Sequence, residues 1–369
     1  MELLRRNLRA AGGLPGARRQ IPRSAADSPD RLLTPTPEGL SVRNAVSLLT
    51  GAGGFIGAHL AQRLVAAGDR VHVIVRPSTS LARLAPFVDR LVVHRIDLAD
   101  RAEIRRCLAG IRPRRVFHLA AETRLPAQPS FAAARAAAGT YLQPALNLLE
   151  PLAELAEPPD VVVRAGTIAE YGRAELPYSE TRRAFPTTPY GAGMLATTDS
   201  IAMLAPLMPF PVVTARLALC YGPGQATSFL IPALVEACMA NRPITVQRPL
   251  DRRDLLHVDD AVDALLHIAR MAPRDFGTVN ICTGIAPTMA QVAQRIAALA
   301  GCAPGIVTLR PAQSTEPGSG GQPTELRSDP ARARSRLRWE PLIGFEEGLR
   351  RTVAAHRQLQ QQHIQMKAG

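Results

Sequence analysis

Tyr190 stands in the stretch TPYGAGML, four residues before Met194. A phenol ionises near pH ~10, so at neutral pH a tyrosine donates a proton more readily than it accepts one. To act as a base it needs a cation beside it, and Met194 carries neither charge nor donor. A second constellation is LLTGAGGFIGAHLAQRL, with Gly51, Gly54 and Gly57 in a G-x-x-G-x-x-G spacing. Gly51 permits a tight strand-to-helix turn, Gly54 lets backbone approach a pyrophosphate, and Gly57 lets the helix pack on the sheet. Phe55 and Ile56 belong to the same turn, where a helix N-terminus offers free N–H groups to phosphate. The expected ligand is a dinucleotide. Where an acidic residue would bond the adenosine ribose 2′-hydroxyl, VIVRPSTS carries Arg76, with Ser78 and Ser80 close behind. A guanidinium pairs with a 2′-phosphate, which favours NADP, with NAD the other candidate.

The elements that must position these residues alternate along the chain. AVSLLT, RVHVIVR, RLVVHRIDL, RVFHLAAE, DVVVRAGT and PVVTARLALCYG read as strands. Helical spacing fills IGAHLAQRLVAAG, Arg101–Ala109 and Phe131–Ala156 between them. This pattern predicts an α/β fold, a Rossmann-type doubly wound parallel sheet with helices on both faces. After Gly224 short helices mix with short strands such as ITVQ and TVNICTG. The expected division is a disordered Arg/Pro-rich extension at 1–44, a nucleotide-binding domain at 45–224, a smaller interleaved substrate-binding region at 225–355, and a polar tail at 356–369. AQSTEPGSGGQPTE reads as a mobile loop.

Composition narrows the class. A hydrophobic fraction of 46% supplies a core, while Arg, Pro or Gly breaks every apolar run short of a membrane span. The formal charge of +13 invites a nucleic-acid reading. However, all but one of the cationic residues are arginine, the exception being Lys367, and they are scattered without interleaved aromatics. No nucleic-acid partner is expected. Cys107, Cys220, Cys238, Cys282 and Cys302 are dispersed without metal spacing, as in a reduced, cytoplasmic protein.

The ordered set TGAGGFIG, Asp97-Leu98, HLAA, GTIAEYG, PYGAGM, YGPGQ, RRDLLHVDDAVDA and RLRWEPLIGFEEGLRRTV resembles the extended short-chain dehydrogenase/reductase family, in its NAD-dependent epimerase/dehydratase group acting on nucleotide sugars. The resemblance spans nearly all of residues 46–355. It implies that Asp97 and Leu98 contact the adenine, and that Leu119, Ala120 and Ala121 line the path to the nicotinamide. It makes Tyr190 the catalytic tyrosine and Thr167 the hydroxyl that bonds the substrate oxygen. Arg253 would grip a substrate diphosphate, although an ion pair with Asp251 or Asp254 would also account for it. The substrate would be a nucleotide sugar or a related secondary-metabolite carbonyl. The resemblance also implies a homodimer, formed through the helices near 131–156 and from Tyr190.

Three positions depart from the family. Met194 replaces a lysine that lowers the tyrosine's pKa and bonds the nicotinamide ribose. Thr167-Ile168-Ala169 replaces the Thr-Asp-Glu of sugar 4,6-dehydratases. Leu219 replaces an asparagine that touches the sugar nucleotide. Three functions remain open: an NAD(P)-dependent reductase or epimerase using Tyr190 and Thr167; a cofactor-binding scaffold or sensor; and a lyase or isomerase with its chemistry moved to Glu170 or Cys220. For these last two residues, a surface charge and a buried thiol are the competing readings.

Overall fold

The computed structural model describes residues 45–122, 128–310 and 324–368. The extension at 1–44 and nearly all of the AQSTEPGSGGQPTE loop lie outside the described residues. The first part of the chain runs β1 (Val46–Thr50), α1 (Phe55–Ala66), β2 (Arg70–Val75), β3 (Leu91–Arg95), α2 (Arg101–Ile111) and β4 (Arg115–His118). Then come α3 (Phe131–Ala137), α4 (Gln143–Ala153), β5 (Val161–Thr167), α5 (Pro189–Leu204), β6 (Val212–Leu217) and β7 (Leu219–Tyr221). The rest comprises α6 (Leu230–Met239), β8 (Ile244–Val246), β9 (Arg252–Arg253), β10 (Leu255–His257), α7 (Val258–Met271), β11 (Thr278–Ile281), α8 (Met289–Ala300), β12 (Val307–Leu309), β13 (Glu325–Leu326) and α9 (Phe345–Ala368).

Among the described residues, seven strands form one parallel sheet in the order β11-β6-β5-β4-β1-β2-β3. Alternation along each strand sends successive side chains to opposite faces. Leu49, Phe117 and Val163 face one core with Leu60 and Leu64 of α1 and Leu265 of α7. Leu48, Val116 and Val162 face the other with Ile104 and Leu108 of α2, Leu148 of α4 and Ile201 of α5. Both faces are therefore covered, and the expected doubly wound α/β architecture is what the chain adopts. The strand order reverses between β1 and β4, which opens a crevice at their carboxyl ends.

Three elements differ from the sequence reading. The long helix from Phe131 is interrupted by a π-helical turn at Ala138–Leu142 and stops at Ala153. Pro144 lies two residues beyond that turn, lacks an N–H, and would clash with the carbonyl four residues back in a regular helix. PVVTARLALCYG is two strands. At Ala218 the chain leaves β5: its N–H bonds to Ile281 O, Leu219 N–H bonds to Asp254 O, and β7 pairs with β10. The polar tail is helical, because α9 continues to Ala368. Leu349 and Val353 anchor its first turns in a core with Leu234, Val292 and Ile296. No helix of the described residues is long and apolar enough to cross a membrane.

Candidate functional site

β1 ends at Thr50 and the chain turns at once through Gly51, whose φ of +76° is left-handed. A Cβ there would lie 2.6 Å from the carbonyl carbon and oxygen of Leu119 and 2.7 Å from Ala120 N. A Cβ at Gly57 would overlap Gly51 O. Gly54 caps α1 without a side chain, and no acidic residue stands in the first turn. Leading N–H groups are thus left for an anion, and a pyrophosphate fits this cradle. Thr50 fastens the neighbouring strand end, since its Oγ1 is 2.8 Å from His118 Nδ1 and accepts Ala120 N–H at 3.3 Å. Gly51→Ala should weaken NADPH and NADH binding about tenfold or more, given the strain of a left-handed alanine pressed onto backbone. Fluorescence titration checks this, and unchanged affinity would contradict the cradle.

The other expected cofactor residues gather around this turn. Phe55 and Ile56 open α1 and are half-buried, as are Leu119 and Ala120, while Ala121 is exposed. Arg76 follows β2 and is exposed, its carbonyl accepting Thr79 N–H in a tight turn. Arg95, on the adjoining strand, holds that turn by donating to Pro77 O at 2.8 Å. Asp97 is exposed and accepts Ala99 N–H at 2.9 Å. Leu98 is the next residue. Its side chain is buried in the α2 core, and buried Asn147 fixes its backbone by donating to its carbonyl at 2.9 Å. Arg83 escaped the sequence reading, though it bridges Gly53 O and Gly224 O from beside the cradle.

Tyr190 sits in the first turn of α5. Pro189 precedes it, and Thr188 caps the helix by accepting Gly191 N–H at 3.1 Å. A fixed cap and a proline at the first position hold the tyrosine's backbone in place. Thr167 ends β5, and its side chain lies close enough to the Tyr190 phenol to lower its pKa. The ring meets Tyr141 edge-on, centroids 5.7 Å apart. Burial pushes the Tyr190 phenol up from its usual value. Thr167 and Arg164 pull it down, while Glu170 and Cys220 push it up. The strand end and helix start therefore bring Thr167 and Tyr190 together as a hydroxyl pair that is protonated at neutral pH.

Met194 is 2% exposed and packs with Ala137, Tyr141 and Tyr190. Arg164 of β5 reaches it: Nη2 donates to Met194 O at 3.2 Å and lies 3.5 Å from Sδ, while Nη1 donates to Thr198 Oγ1 at 2.9 Å. Sequence reasoning passed over Arg164. The signal was an arginine inside DVVVRAGT, a strand that a doubly wound sheet buries on both faces.

Glu170 is neither a surface charge nor a substrate contact. It is fully buried, and its carboxylate accepts Arg216 Nε at 2.7 Å, Thr198 Oγ1 at 2.9 Å and Thr167 N–H at 3.1 Å. The bond to Thr167 closes a capping box that orients the catalytic candidate. Cys220 does lie beside Tyr190, but burial, then Asp254, pushes its thiol up to about 12, so it is no ready nucleophile. Arg253 is buried, with its guanidinium on Asp251 Oδ2 at 2.5 Å and on the carbonyls of Arg252 and Thr324. The ion-pair alternative describes it, and a diphosphate would have to compete with Asp251. Leu219 is 37% exposed, an apolar side chain at the start of β7. Ile168 is buried and Ala169 carries no acid, so no carboxyl stands beside Thr167 at those positions.

Comparison with known proteins agrees with this fold. The family model described as GDP-mannose 4,6 dehydratase matches residues 48–352. A UDP-glucose 4-epimerase of Mycolicibacterium smegmatis is 30% identical over 83% of this chain and 97% of its own. A dTDP-glucose 4,6-dehydratase of Neisseria gonorrhoeae is 27% identical over 83% and 94%. Among solved structures, a UDP-glucose 4-epimerase of Thermus thermophilus in complex with NAD superposes with a TM-score of 0.71 at 26% identity, covering 84% of this chain and 98% of that one.

Proposed function

The chain belongs to the extended short-chain dehydrogenase/reductase family, in its NAD-dependent epimerase/dehydratase branch, and on that premise we propose that it is an epimerase or reductase of a nucleotide sugar. The observation that carries this reading is the juxtaposition of Thr167 and Tyr190 at the carboxyl end of β5, in the sheet whose β1 end forms the Gly51 cradle. Gly51, Gly54 and the α1 N-terminus would hold a nicotinamide dinucleotide, which would supply the hydride acceptor or donor. Tyr190 moves the proton at the substrate oxygen. Thr167 Oγ1, beside the phenol, orients that oxygen. Because burial keeps Tyr190 protonated, carbonyl reduction, which consumes a proton, is the easier direction, and alcohol oxidation requires the phenolate. Removal of water from the sugar is not assigned, since Ile168 and Ala169 offer no acid or base. The experiment is incubation of the protein and cofactor with UDP- and dTDP-sugars. Interconversion or reduction supports the reading. Tight cofactor binding without turnover would favour a scaffold, the reading that neutral Met194 supports.

NADP is the assigned cofactor on the strength of Arg76, exposed at the end of β2 with no carboxylate in RPSTS to repel a 2′-phosphate. Wild-type protein should bind NADPH about tenfold more tightly than NADH, and Arg76→Ala should erase the difference. Equal affinities in the wild type would instead favour NAD, the cofactor bound by the Thermus epimerase. Exposed Phe131 on α3, Met203 on α5 and Leu207 just beyond it support a homodimer through these helices.

A further inference from the structure

We propose that Arg164, presented by β5 and braced by Met194 and Thr198 of α5, is the buried cation that stabilises the Tyr190 phenolate left when the proton is given up. This rests on Tyr190 being the proton donor. Three observations converge on it. Met194, on the turn of α5 after Tyr190, packs on the tyrosine yet has no charge to offer. Arg164 touches that same methionine, is 3% exposed, and meets Met194 and Thr198 through neutral acceptors. Finally, the buried cluster has one positive charge too many. Arg164 and Arg216 face a single buried carboxylate, Glu170, whose oxygens are taken by Arg216, Thr198 and Thr167 N–H.

A buried guanidinium that shares its one carboxylate, Glu170, with a second arginine is costly in the resting protein unless a further anion forms near it. The phenolate is that anion. No other facing group takes its place. His118, opposite Arg164 on β4, is lowered to about 3 by burial first and Arg164 second, so it is neutral. Cys220 from β7 and Tyr141 from the π-helical turn have raised pKa values and stay protonated. Asp199 on α5 is exposed and faces Arg216 and Glu170 through solvent-screened interactions. At 3% exposure Arg164 does not reach a cofactor, so its effect passes entirely through Tyr190, and it is a positioning residue.

The test follows Tyr190 itself by NMR in protein labelled at the tyrosine phenolic carbon, with Tyr190→Phe identifying the signal. Arg164→Met should raise the apparent pKa of Tyr190 by about one unit or more, the usual effect of losing a nearby opposite charge. Adding Met194→Lys to Arg164→Met, which returns a cation from α5, should reverse most of that rise. An Arg164→Met titration that overlays the wild type would overturn the proposal. Should Arg164→Met not fold alone, thermal melts decide. Met194→Lys alone sets two cations together and should lower Tm, and adding Arg164→Met should raise it again. A further fall on adding Arg164→Met would equally overturn it. Neither readout needs turnover, so inactivity on every sugar nucleotide would remove the proposed function while leaving this inference to be judged separately.

Discussion

Replacing Tyr190 with phenylalanine should lower kcat for nucleotide-sugar interconversion about 10²–10⁴-fold, the usual contribution of a positioned proton donor, with KM nearly unchanged. The ring would remain edge-on to Tyr141 and packed on Met194, so cofactor and substrate pockets keep their shape. What is lost is the hydroxyl beside Thr167. The raised pKa of Tyr190 gives the reaction a direction-dependent pH profile. Below that pKa the phenol stays protonated, so reduction should be flat across neutral pH. Oxidation needs the phenolate, so its rate should climb with pH up to the raised value. Steady-state kinetics in both directions measure this. A Tyr190→Phe enzyme with full kcat, or oxidation that falls as pH rises, would remove Tyr190 from the chemistry.

Glu170→Ala should destabilise the protein by about 3–5 kcal/mol, the cost of breaking a buried ion pair from one side. Its partner Arg216 is 5% exposed and stacks over the Tyr171 ring, 4.5 Å from its centroid. Without the carboxylate, Arg216 and Arg164 become two unpaired cations in one buried cluster, and Thr198 Oγ1 and Thr167 N–H lose an acceptor. Natural domains have only about 5–15 kcal/mol to lose, so the variant should melt far below the wild type. The freed Thr167 turn should also slow catalysis in whatever fraction stays folded. Urea unfolding and thermal melts check the first effect. A loss below about 1 kcal/mol would place Glu170 at the surface, in conflict with its burial.

The doubly wound sheet was legible because its signals are local. Apolar runs of strand length alternate with helical spacing, and Gly51, Gly54 and Gly57 carry a steric reason that one sequence displays. Tyr190 and Thr167 stand out in their motifs, although nothing in either motif says that the two side chains come close together. That requires the end of β5 and the start of α5 to come together, a tertiary fact. Glu170 shows the limit most plainly. Flanked by Ala169 and Tyr171 in a turn, it reads as a solvated charge, and only the placement of Arg216 on the adjacent β6 turns it into a buried ion pair. Arg253 likewise has several acidic neighbours in sequence, and side-chain direction decides for Asp251. Arg164 was visible as a charge in an apolar strand, but its partners on α5 lie 30 residues or more away. The break at Ala218 has the same cause: the residues read as one strand, and the change of partner from β5 to β10 is set by distant chain.

The central claim is that a bound nicotinamide and Tyr190 act on one nucleotide sugar in one site. Its most direct measurement is a single-turnover experiment that follows the near-ultraviolet absorbance of enzyme-bound cofactor when UDP-glucose, and then each of a panel of UDP- and dTDP-sugars, is mixed in. The predicted result is a change in the cofactor's redox signal with at least one sugar nucleotide, suppressed in Tyr190→Phe while cofactor affinity is kept. Tight cofactor binding with no redox change for any sugar nucleotide, in wild type and variant alike, would contradict it.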